Sequence, residues 1–550
     1  MKLLQTTIGA LLERNAREFP DFPAAIFCET NTRWTWAELD EAVNKTAKGL
    51  MALGIERGDH IGIWATNVPE WVLTELAAAR IGAVLVTINP EWKHKELEYA
   101  IRQSDTNLLV MVPGFEKTTK GKTFSYDYIG MIKELCPGLP CDNFPELRNM
   151  VITSPTAPSG MLAWPDLIKR GAAISDEALA ARAAEVDPHD TVLIQYTSGT
   201  TGFPKGAMLT HYNVTNNALS VAGHLRLGLD DKLCAPVPFY HCFGSILVTL
   251  GCVVSGAAMV IPSPMFDSHK VLEAIENERC TVLYGVPTMF IAELDEIDFD
   301  RFDLRSLRTG IMAGAPVDKE LFEAVTQKMG AREMTIAYGL TETSPVTHQT
   351  HIFDPLEKRI TTVGRPIEHT EARIVDPNTR QTLPPGQVGE IWMRGFHVMK
   401  GYYKKPQETA ETIVDDGWIR SGDLGIMDEK GFYRIVGRLK EMIITGGHNV
   451  YPAEVEQSLH SLLEDKVELV QVVGVPHPKL QEVVGLVVKC RPGTDLTLEE
   501  VRQRCDGKLE WSKIPRHLLV LDEWSRAMTV TGKIQKFKLA ELFGMAEQVR

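Results

Sequence analysis

Cysteine is sparse in this 550-residue sequence, and its nine copies include no CxxC pair. This pattern disfavours structural zinc and a disulfide framework, and it is typical of reduced thiols in the cytosol. Glycine and proline, at 43 and 31 residues, show no excess of the kind that marks disorder or fibrous repeats. Basic charge is also in deficit, because the formal net charge is -14. Nucleic acid is therefore not an expected partner.

Long hydrophobic runs are almost absent, and the one uncharged stretch of bilayer length is residues 243–262. Its glycine and serine residues divide it into a buried helix near residues 246–254 and a short strand over Ala258–Ile261. The amino-terminal residues lack the apolar core and cleavage site of a signal peptide. We therefore expect a cytoplasmic protein without an integral membrane segment.

Helix and strand patterns alternate along the first two thirds of the chain. Thr35 and Glu38 form a capping-box pattern at the start of a helix, and a strand is expected at His60–Trp64. A helix at Pro69–Ile81 and a strand at residues 84–88 follow. This alternation predicts a wound α/β sheet.

The pattern changes near residue 376, where short strand-like runs are separated by PPG, DDG and DEKG turns. This predicts a small β-rich subdomain over about residues 376–439. Alternation resumes beyond Lys440, so residues 1–439 and 440–550 are expected to form separate domains. The polar run at residues 117–126 is expected to be a surface loop, and residues 174–186 an exposed helix.

A glycine-rich segment, YTSGTTGFPKG, occupies residues 196–206 directly after an apolar strand pattern. Glycines let backbone N–H groups approach an anion, hydroxyl groups add donors, and lysine adds a positive charge. The segment does not match the GxxxxGK[ST] arrangement of P-loop NTPases. A plain surface turn is the alternative, but the composition favours a nucleotide-phosphate loop with these candidate contacts: Thr197, Ser198, Gly199, Thr200, Thr201, Gly202 and Lys205.

Five further segments follow in order: FYHCFG at residues 239–244, YGLTET at 338–343, SGDLG at 421–425, GRLKEMIITGG at 437–447 and TGKIQK at 531–536. With them, nearly the whole chain resembles the adenylate-forming superfamily of acyl-CoA synthetases, luciferases and peptide-synthetase adenylation domains. The resemblance implies an α/β protein. Its large amino-terminal domain would hold two doubly wound sheets and a small β-barrel-like subdomain, and its small carboxy-terminal α+β domain would be mobile.

The resemblance also implies the nucleotide site. In the family, the residues matching Gly314, Ala315 and Pro316 lie against adenine, and the residue matching Tyr338 is the adenine platform. The adjacent Gly339 is assigned to the same ATP site, and Gly314 and Gly339 also match positions that border the acyl pocket. Asp423 and Arg438 match the ribose contacts, and a carboxylate suits two ribose hydroxyls. Taken alone, Asp423 also fits an ordinary β-turn aspartate.

Four residues match catalytic positions of the family: Lys533, Thr341, Glu342 and His241. Thr341 would contact a phosphate, and Glu342 would be a ligand of Mg²⁺, which prefers oxygen donors. Lys533 would neutralise charge between the carboxylate and the α-phosphate. His241 would position the acid. The alternatives are a helix-capping Glu342, a surface Lys533 and a structural buried His241.

The carboxy-terminal part matches the family's second half-reaction, in which coenzyme A accepts the acyl group. Lys440 matches the hinge about which the small domain turns, and Gly446 and Gly447 match the face that binds coenzyme A. His448 stands where the family usually has Glu, which we interpret as neutral surface variation. The chemistry needs no cysteine, so Cys242 is expected to be dispensable.

Four residues match acyl-pocket positions: Ser245, Val286, Val346 and Thr347. Their uncharged character favours a monocarboxylic aliphatic acid, and the sequence is most similar to medium-chain fatty acyl-CoA synthetases. ATP, coenzyme A and Mg²⁺ are the expected cosubstrates and cofactor. Alternatives are an aryl or alicyclic acid, loading of a carrier protein in trans, a light-emitting oxidase and a silent nucleotide-binding protein. The sequence leaves homodimer formation open.

Overall fold

The computed structural model describes residues 1–119, 122–197, 204–524, 527–528 and 534–548. Within them the chain divides into two compact units. Unit 1 comprises residues 1–371 and 393–419, and unit 2 comprises residues 372–392 and 420–550. This division does not test the domain boundary at residues 439 and 440, which stays a prediction.

The helices of unit 1 alternate with its strands. They are α1 (Ile8–Glu18), α2 (Trp36–Ala52), α3 (Pro69–Ile81), α4 (His94–Gln103), α5 (Tyr128–Leu135), α6 (Trp164–Gly171), α7 (Asp176–Ala184), α8 (His211–His224), α9 (Gly251–Ser255), α10 (Ser268–Glu278), α11 (Pro287–Leu294), α12 (Lys319–Lys328), α13 (Leu356–Thr361) and α14 (Pro406–Thr412). Unit 2 has α15 (Pro452–Leu463), α16 (Leu498–Cys505) and α17 (Lys536–Gln548). A π-helix at Phe243–Leu250 and short 3-10 turns at Phe299–Arg301, Thr341–Thr343 and Leu439–Glu441 complete the helical segments of the described residues.

The strands are short and mostly buried. In chain order they are β1 (Pro23–Phe27), β2 (Thr32–Thr35), β3 (His60–Trp64), β4 (Val84–Thr87), β5 (Leu108–Met111), β6 (Gly114–Thr119), β7 (Lys122–Asp127), β8 (Asn149–Ile152), β9 (Leu162–Ala163), β10 (Thr191–Thr197), β11 (Lys205–Thr210), β12 (Lys232–Cys234), β13 (Ala258–Ile261), β14 (Val282–Gly285), β15 (Thr309–Ala313), β16 (Glu333–Gly339), β17 (Val346–Gln349), β18 (Arg365–Pro366), β19 (Thr370–Val375), β20 (Gly389–Gly395), β21 (Gly401–Tyr402), β22 (Ile413–Val414), β23 (Trp418–Met427), β24 (Tyr433–Arg438), β25 (Ile443–Thr445), β26 (His448–Val450), β27 (Val467–His477), β28 (Gln481–Cys490) and β29 (His517–Val520).

Two large sheets organise unit 1. One has the order β18-β17-β16-β15-β14-β12-β13-β1-β2, and the other β21-β11-β10-β4-β3-β5-β8-β9. Their central strands pair in parallel, as expected when helices cross over between strands. The predicted α/β class with wound sheets is confirmed.

Local sequence signals explain the helices that were predicted. The Thr35 side chain accepts from the Glu38 N–H, and the Glu38 carboxylate accepts from the Thr35 N–H, so α2 begins with a complete capping box. Helix α3 begins at Pro69 and ends before Gly82, which adopts a positive φ of 75°. The exposed helix expected in residues 174–186 is present as α7.

The uncharged run at residues 243–262 is helical from Phe243 to Ser255 and then forms β13. Among the described residues, none of the helices combines the length and apolar character needed to cross a membrane. The prediction of a surface loop at residues 117–126 is wrong, because β6 and β7 form an antiparallel hairpin there. Its threonine and aromatic residues favour extended structure despite their polar neighbours, and the Phe115 and Tyr126 rings stack 4.5 Å apart.

Unit 2 contains an antiparallel pair of β23 and β24 and a sheet of order β26-β25-β28-β27, with β29 beside β28. Its apolar residues form two clusters. One includes Val455, Leu459 and Leu486, and the other includes Val475, Trp524 and Leu539. A helix-strand core of this kind is sufficient for an independently folded region.

Candidate functional site

The two ends of the glycine-rich segment are fixed by the sheet. Strand β10 ends at Thr197, β11 begins at Lys205, and these two residues are direct antiparallel partners. The Lys205 ammonium lies 4.2 Å from the centroid of the Tyr402 ring, which is a cation-π distance. Five of the predicted phosphate contacts lie outside the described residues: Ser198, Gly199, Thr200, Thr201 and Gly202.

Tyr402 also contacts the predicted metal ligand. Its hydroxyl donates to Oε1 of Glu342 at 2.6 Å. Glu342 lies in the 3-10 turn Thr341–Thr343, and its backbone carbonyl accepts from the N–H of Met399 at 2.9 Å. Burial, followed by the negative charge of Glu342, raises the pKa of Tyr402, so the hydroxyl stays a donor. Lys205 and Glu342 are therefore linked through one aromatic side chain.

The predicted adenine contacts occupy the carboxyl ends of adjacent parallel strands. Gly314, Ala315 and Pro316 form an exposed turn after β15, and Tyr338 and Gly339 end β16. Strands β15 and β16 pair in parallel register. In open α/β sheets, ligands bind in the crevice outside such strand ends.

Gly314 and Gly339, at the carboxyl ends of β15 and β16, require glycine for different reasons. Gly314 has a φ of 88°, and a Cβ there would lie 3.2 Å from Cγ1 of Val286. A Cβ on Gly339 would lie 1.9 Å from the carbonyl oxygen of Pro345, a distance that no side chain tolerates. The strand end therefore requires close backbone approach.

His241 and Thr341 meet around Cys242. The Cys242 sulfur lies 3.6 Å from Nδ1 of His241 and 3.8 Å from the hydroxyl oxygen of Thr341. The N–H of Phe243 donates to the same Nδ1 at 3.1 Å. Because Nδ1 accepts, the neutral imidazole carries its proton on Nε2. The FYHCFG and YGLTET segments, far apart in sequence, are thus in contact.

The predicted acyl-pocket residues surround the same strand end. Val286 directly precedes α11, while Val346 and Thr347 lie on β17, antiparallel to β16. The side-chain amide of Asn217 donates to the carbonyl of Val346 at 2.7 Å and accepts from its N–H at 3.1 Å. The Thr347 hydroxyl donates to the carbonyl of Tyr338 at 3.3 Å.

Ser245 is fully buried in the π-helix, and its hydroxyl donates to the carbonyl of His241 at 3.3 Å. This hydrogen bond gives the backbone carbonyl of His241 a donor from the same helical turn. Ser245 is consequently held beside His241, and π-helical turns of this kind are frequent at functional sites.

Two fully buried histidines, His348 and His397, lie near the segment that follows β16. The ring of His348 is 5.8 Å from that of Tyr338, and Ser344 donates to the backbone carbonyl of His397 at 2.8 Å. Burial lowers the pKa of His348 and of His397 to about 3. For His348, the nearby His397 adds to this decrease. Both imidazoles are therefore neutral at physiological pH.

In unit 2, the two predicted ribose contacts are neighbours. Asp423 on β23 faces Arg438 on β24, and the guanidinium Nε lies 3.5 Å from a carboxylate oxygen. The Asp423 N–H donates to the hydroxyl of Ser421 at 2.9 Å. The Ser421 side chain accepts this bond, and Asp423 itself lies within β23, so its carboxylate stays beside the arginine.

Gly446 and Gly447 form the two-residue turn between β25 and β26, with φ values of 58° and 84°. Two successive positive φ angles are characteristic of a type I′ hairpin, which explains the glycine pair structurally. The adjacent His448 ring packs edge-on against Trp511 at 5.3 Å. Lys440 is exposed in the 3-10 turn Leu439–Glu441, and Lys533 lies outside the described residues.

Unit 1 thus brings together Lys205, Glu342, Thr341, His241 and the strand-end residues, and unit 2 brings together Asp423 and Arg438. Sequence reasoning missed Tyr402 and Asn217. The GYY sequence at residues 401–403 was a signal for the tyrosine, because an aromatic pair directly follows the glycine of an apolar strand pattern. Asn217 lies within a helix and carries no comparable signal.

Known proteins are similar to this chain over most of its length. Residues 12–403 match the family model described as AMP-binding enzyme. The chain is 46% identical to YngI of Bacillus subtilis, provisionally named an acyl-CoA synthetase, over 98% of this chain and 97% of YngI. It is 38% identical to the mouse medium-chain acyl-CoA ligase ACSF2, mitochondrial, over 98% of this chain and 88% of that protein.

A solved structure is also similar to this chain over nearly its whole length. The anthranilate CoA ligase AuaEII, in complex with anthranoyl-AMP, superposes with a TM-score of 0.83 at 25% sequence identity. The match covers 98% of each chain.

Proposed function

This chain belongs to the AMP-binding enzyme family and is an ATP-dependent acyl-CoA ligase, and from that premise we propose a medium-chain fatty acid as its acid substrate. The contact series Lys205, Tyr402 and Glu342 beside the carboxyl end of β16 supports the nucleotide chemistry of this proposal, and the uncharged residues Val286 and Val346 support the choice of acid. The contact series offers a cation and a carboxylate at the carboxyl ends of parallel strands, which is where open α/β sheets bind ligands.

In the first half-reaction, the carboxylate oxygen of the acid attacks the α-phosphorus of ATP, and pyrophosphate leaves. Lys205, the Thr341 hydroxyl and Lys533 stabilise charge on the phosphates and on the attacking carboxylate. His241, with its proton on Nε2, donates a hydrogen bond to the acid and fixes its direction. Catalysis of this type relies on positioning and on preorganised charge.

Glu342 offers hard oxygen donors, so the residues present fit Mg²⁺. The Tyr402 hydroxyl donates to Oε1 of this carboxylate, and Glu342 would hold the ion. When bound, Mg²⁺ neutralises the phosphate oxygens and orients the leaving group.

In the second half-reaction, the thiol of coenzyme A attacks the acyl carbon of the mixed anhydride, and AMP leaves. Rotation about Lys440 exchanges Lys533 for the hairpin that carries Gly446 and Gly447. Asp423 and Arg438 hold the ribose in both steps. No enzyme thiol forms a covalent intermediate in this scheme, which agrees with the burial of Cys242.

A medium-chain acid is supported by the uncharged lining around Val286 and Val346 and by the similarity to the mouse medium-chain ligase. An aryl acid is the second candidate, because AuaEII is an anthranilate ligase. We also propose a cytoplasmic location, which the sparse cysteines without a CxxC pair favour. Homodimer formation stays a prediction that light scattering on the purified protein would decide.

The test is release of AMP and pyrophosphate by the purified protein with ATP, coenzyme A and Mg²⁺. The acids are the straight-chain series from acetate to palmitate, benzoate, anthranilate and a dicarboxylate. We expect AMP release that depends on coenzyme A and is fastest with acids of about six to twelve carbons. Glu342→Gln should lose activity, whereas Glu357→Gln, an exposed glutamate on α13, should not.

Fastest turnover with anthranilate or benzoate would replace the fatty acid by an aryl acid. Pyrophosphate release without formation of a coenzyme A thioester would indicate a carrier protein as acceptor. Full activity of Glu342→Gln would contradict the metal assignment.

A further inference from the structure

Tyr402 contacts both Lys205 and Glu342, the lysine through its ring and the glutamate through its hydroxyl. We propose that Tyr402 is a positioning residue, which orients the Glu342 carboxylate for the metal with its hydroxyl and holds Lys205 over the nucleotide phosphates with its ring. The proposal rests on the function proposed above and adds a residue to its metal site.

Strand pairing, a backbone hydrogen bond and burial hold Tyr402 in place. It lies on β21, directly opposite Ala207 of β11, so the strand that begins with Lys205 also positions the tyrosine. Its N–H donates to the hydroxyl of Thr409 at 2.9 Å. The side chain is 4% exposed, which leaves little freedom for another rotamer. A rigid residue of this kind is suited to orient a more exposed partner.

The hydroxyl acts on one carboxylate oxygen. At 2.6 Å from Oε1 of Glu342, it makes a short, charge-assisted hydrogen bond. Loss of the hydroxyl would leave the carboxylate free to rotate about its last torsion, which has a broad energy minimum. Residues that orient metal ligands in this way change metal affinity by about 10- to 100-fold when substituted.

The ring acts on the lysine independently of the hydroxyl. The 4.2 Å separation of the Lys205 ammonium from the ring centroid favours one lysine conformation. Tyr402→Phe removes the hydroxyl and keeps the ring, whereas Tyr402→Leu removes both. The two effects are therefore separable by two substitutions at one position.

The neighbouring tyrosine supplies a matched control. The Tyr403 hydroxyl donates to Asp105 at 2.7 Å, so Tyr403→Phe also removes a hydroxyl bonded to a carboxylate. Neither Tyr403 nor Asp105 has a role in the proposed reaction. A change seen in Tyr402→Phe but not in Tyr403→Phe is then specific to Glu342.

The first measurement is pyrophosphate–ATP exchange at fixed ATP as a function of Mg²⁺ concentration. We expect Tyr402→Phe to raise the Mg²⁺ concentration for half-maximal rate about 10-fold, with little change in the KM for ATP. Tyr402→Leu should raise both values, and Tyr403→Phe should match the wild type. A general loss of stability would lower the amount of active enzyme without moving the Mg²⁺ midpoint.

The second measurement needs no turnover. Binding of Mn²⁺ to the full-length protein with α,β-methylene-ATP is followed by electron paramagnetic resonance. Weaker Mn²⁺ binding in Tyr402→Phe and Glu342→Gln, with unchanged binding in Tyr403→Phe, is the expected result. Equal Mn²⁺ affinity in Tyr402→Phe and the wild type overturns the positioning role. If the wild type gives no exchange with any acid, the proposed function fails, and the Mn²⁺ comparison still decides the role of Tyr402.

Discussion

Acidification should destabilise this protein through two buried histidines. His348 and His397 are both 0% exposed, and their pKa values fall from 6.5 to about 3 because burial disfavours the imidazolium form. Below pH 6.5, the unfolded chain therefore binds protons that the folded chain does not. Stability is fully present above pH 6.5 and is lost as the pH falls towards 3.

The size of the effect follows from the width of this window. Each pH unit below 6.5 costs about 1.4 kcal/mol per histidine, so at pH 5 each contributes a loss of about 2 kcal/mol. For both histidines the loss at pH 5 is about 4 kcal/mol, because both stay neutral in the folded chain at that pH. This is between about a quarter and about four fifths of the 5–15 kcal/mol that typically separates folded and unfolded proteins.

The assay is urea unfolding followed by tryptophan fluorescence from pH 5 to pH 7.5, for the wild type and for His348→Gln with His397→Gln. The double variant should lose about 4 kcal/mol less stability than the wild type between pH 7.5 and pH 5. Subtracting the pH dependence of the variant's stability from that of the wild type removes the contribution of the other titrating groups. Parallel pH dependence in the two proteins would refute the argument, whatever their stability at neutral pH.

Three further outcomes are expected. Cys242→Ala should keep most of its activity in the AMP-release assay, because the thiol contacts the site without entering the reaction; inactivity with an unchanged melting temperature would contradict this. Gly339→Ala should lower the melting temperature and the affinity for ATP, because its Cβ would lie 1.9 Å from the Pro345 carbonyl oxygen, at a cost of about 1–3 kcal/mol or more. Glu75, fully buried with its pKa raised well above 4.5 by desolvation, keeps its proton when folded. Stability is therefore lost as pH rises above 4.5, so Glu75→Gln should raise the melting temperature more at pH 8 than at pH 5; an equal change at both pH values would count against a protonated Glu75.

The fold was predictable wherever local signals and burial agree. Helix α3 begins and ends at the predicted residues because Pro69 and Gly82 fix both of its ends. Strand β3 also has the predicted bounds, since His60–Trp64 is a short apolar run between turns. The hairpin of β6 and β7 was missed because polarity was given more weight than the extended preference of its threonine and aromatic residues.

The site was predictable as a set of segments but not as a set of contacts. The order of the motifs indicated Glu342 and Lys205, yet nothing in their spacing shows that Tyr402, sixty positions beyond Glu342, bonds to its carboxylate. The π-helical form of Phe243–Leu250 could not be predicted either, because a fully apolar run has no periodicity that distinguishes a π-helix from an α-helix. Such contacts depend on which strands become neighbours, and that is decided by the whole sheet.

The double hydrogen bond between Asn217 and Val346 has a consequence for engineering substrate length. One side-chain amide makes the two bonds that a neighbouring strand would make, so helix α8 and strand β17 are held at a fixed offset. If the proposed acyl pocket lies at Val286 and Val346, it therefore cannot be widened by sliding β17 outward while α8 stays in place. Exchange of side-chain volume at Val286 or Val346 is the route that leaves this frame intact, and Asn217 should be kept unchanged in any library built for that purpose.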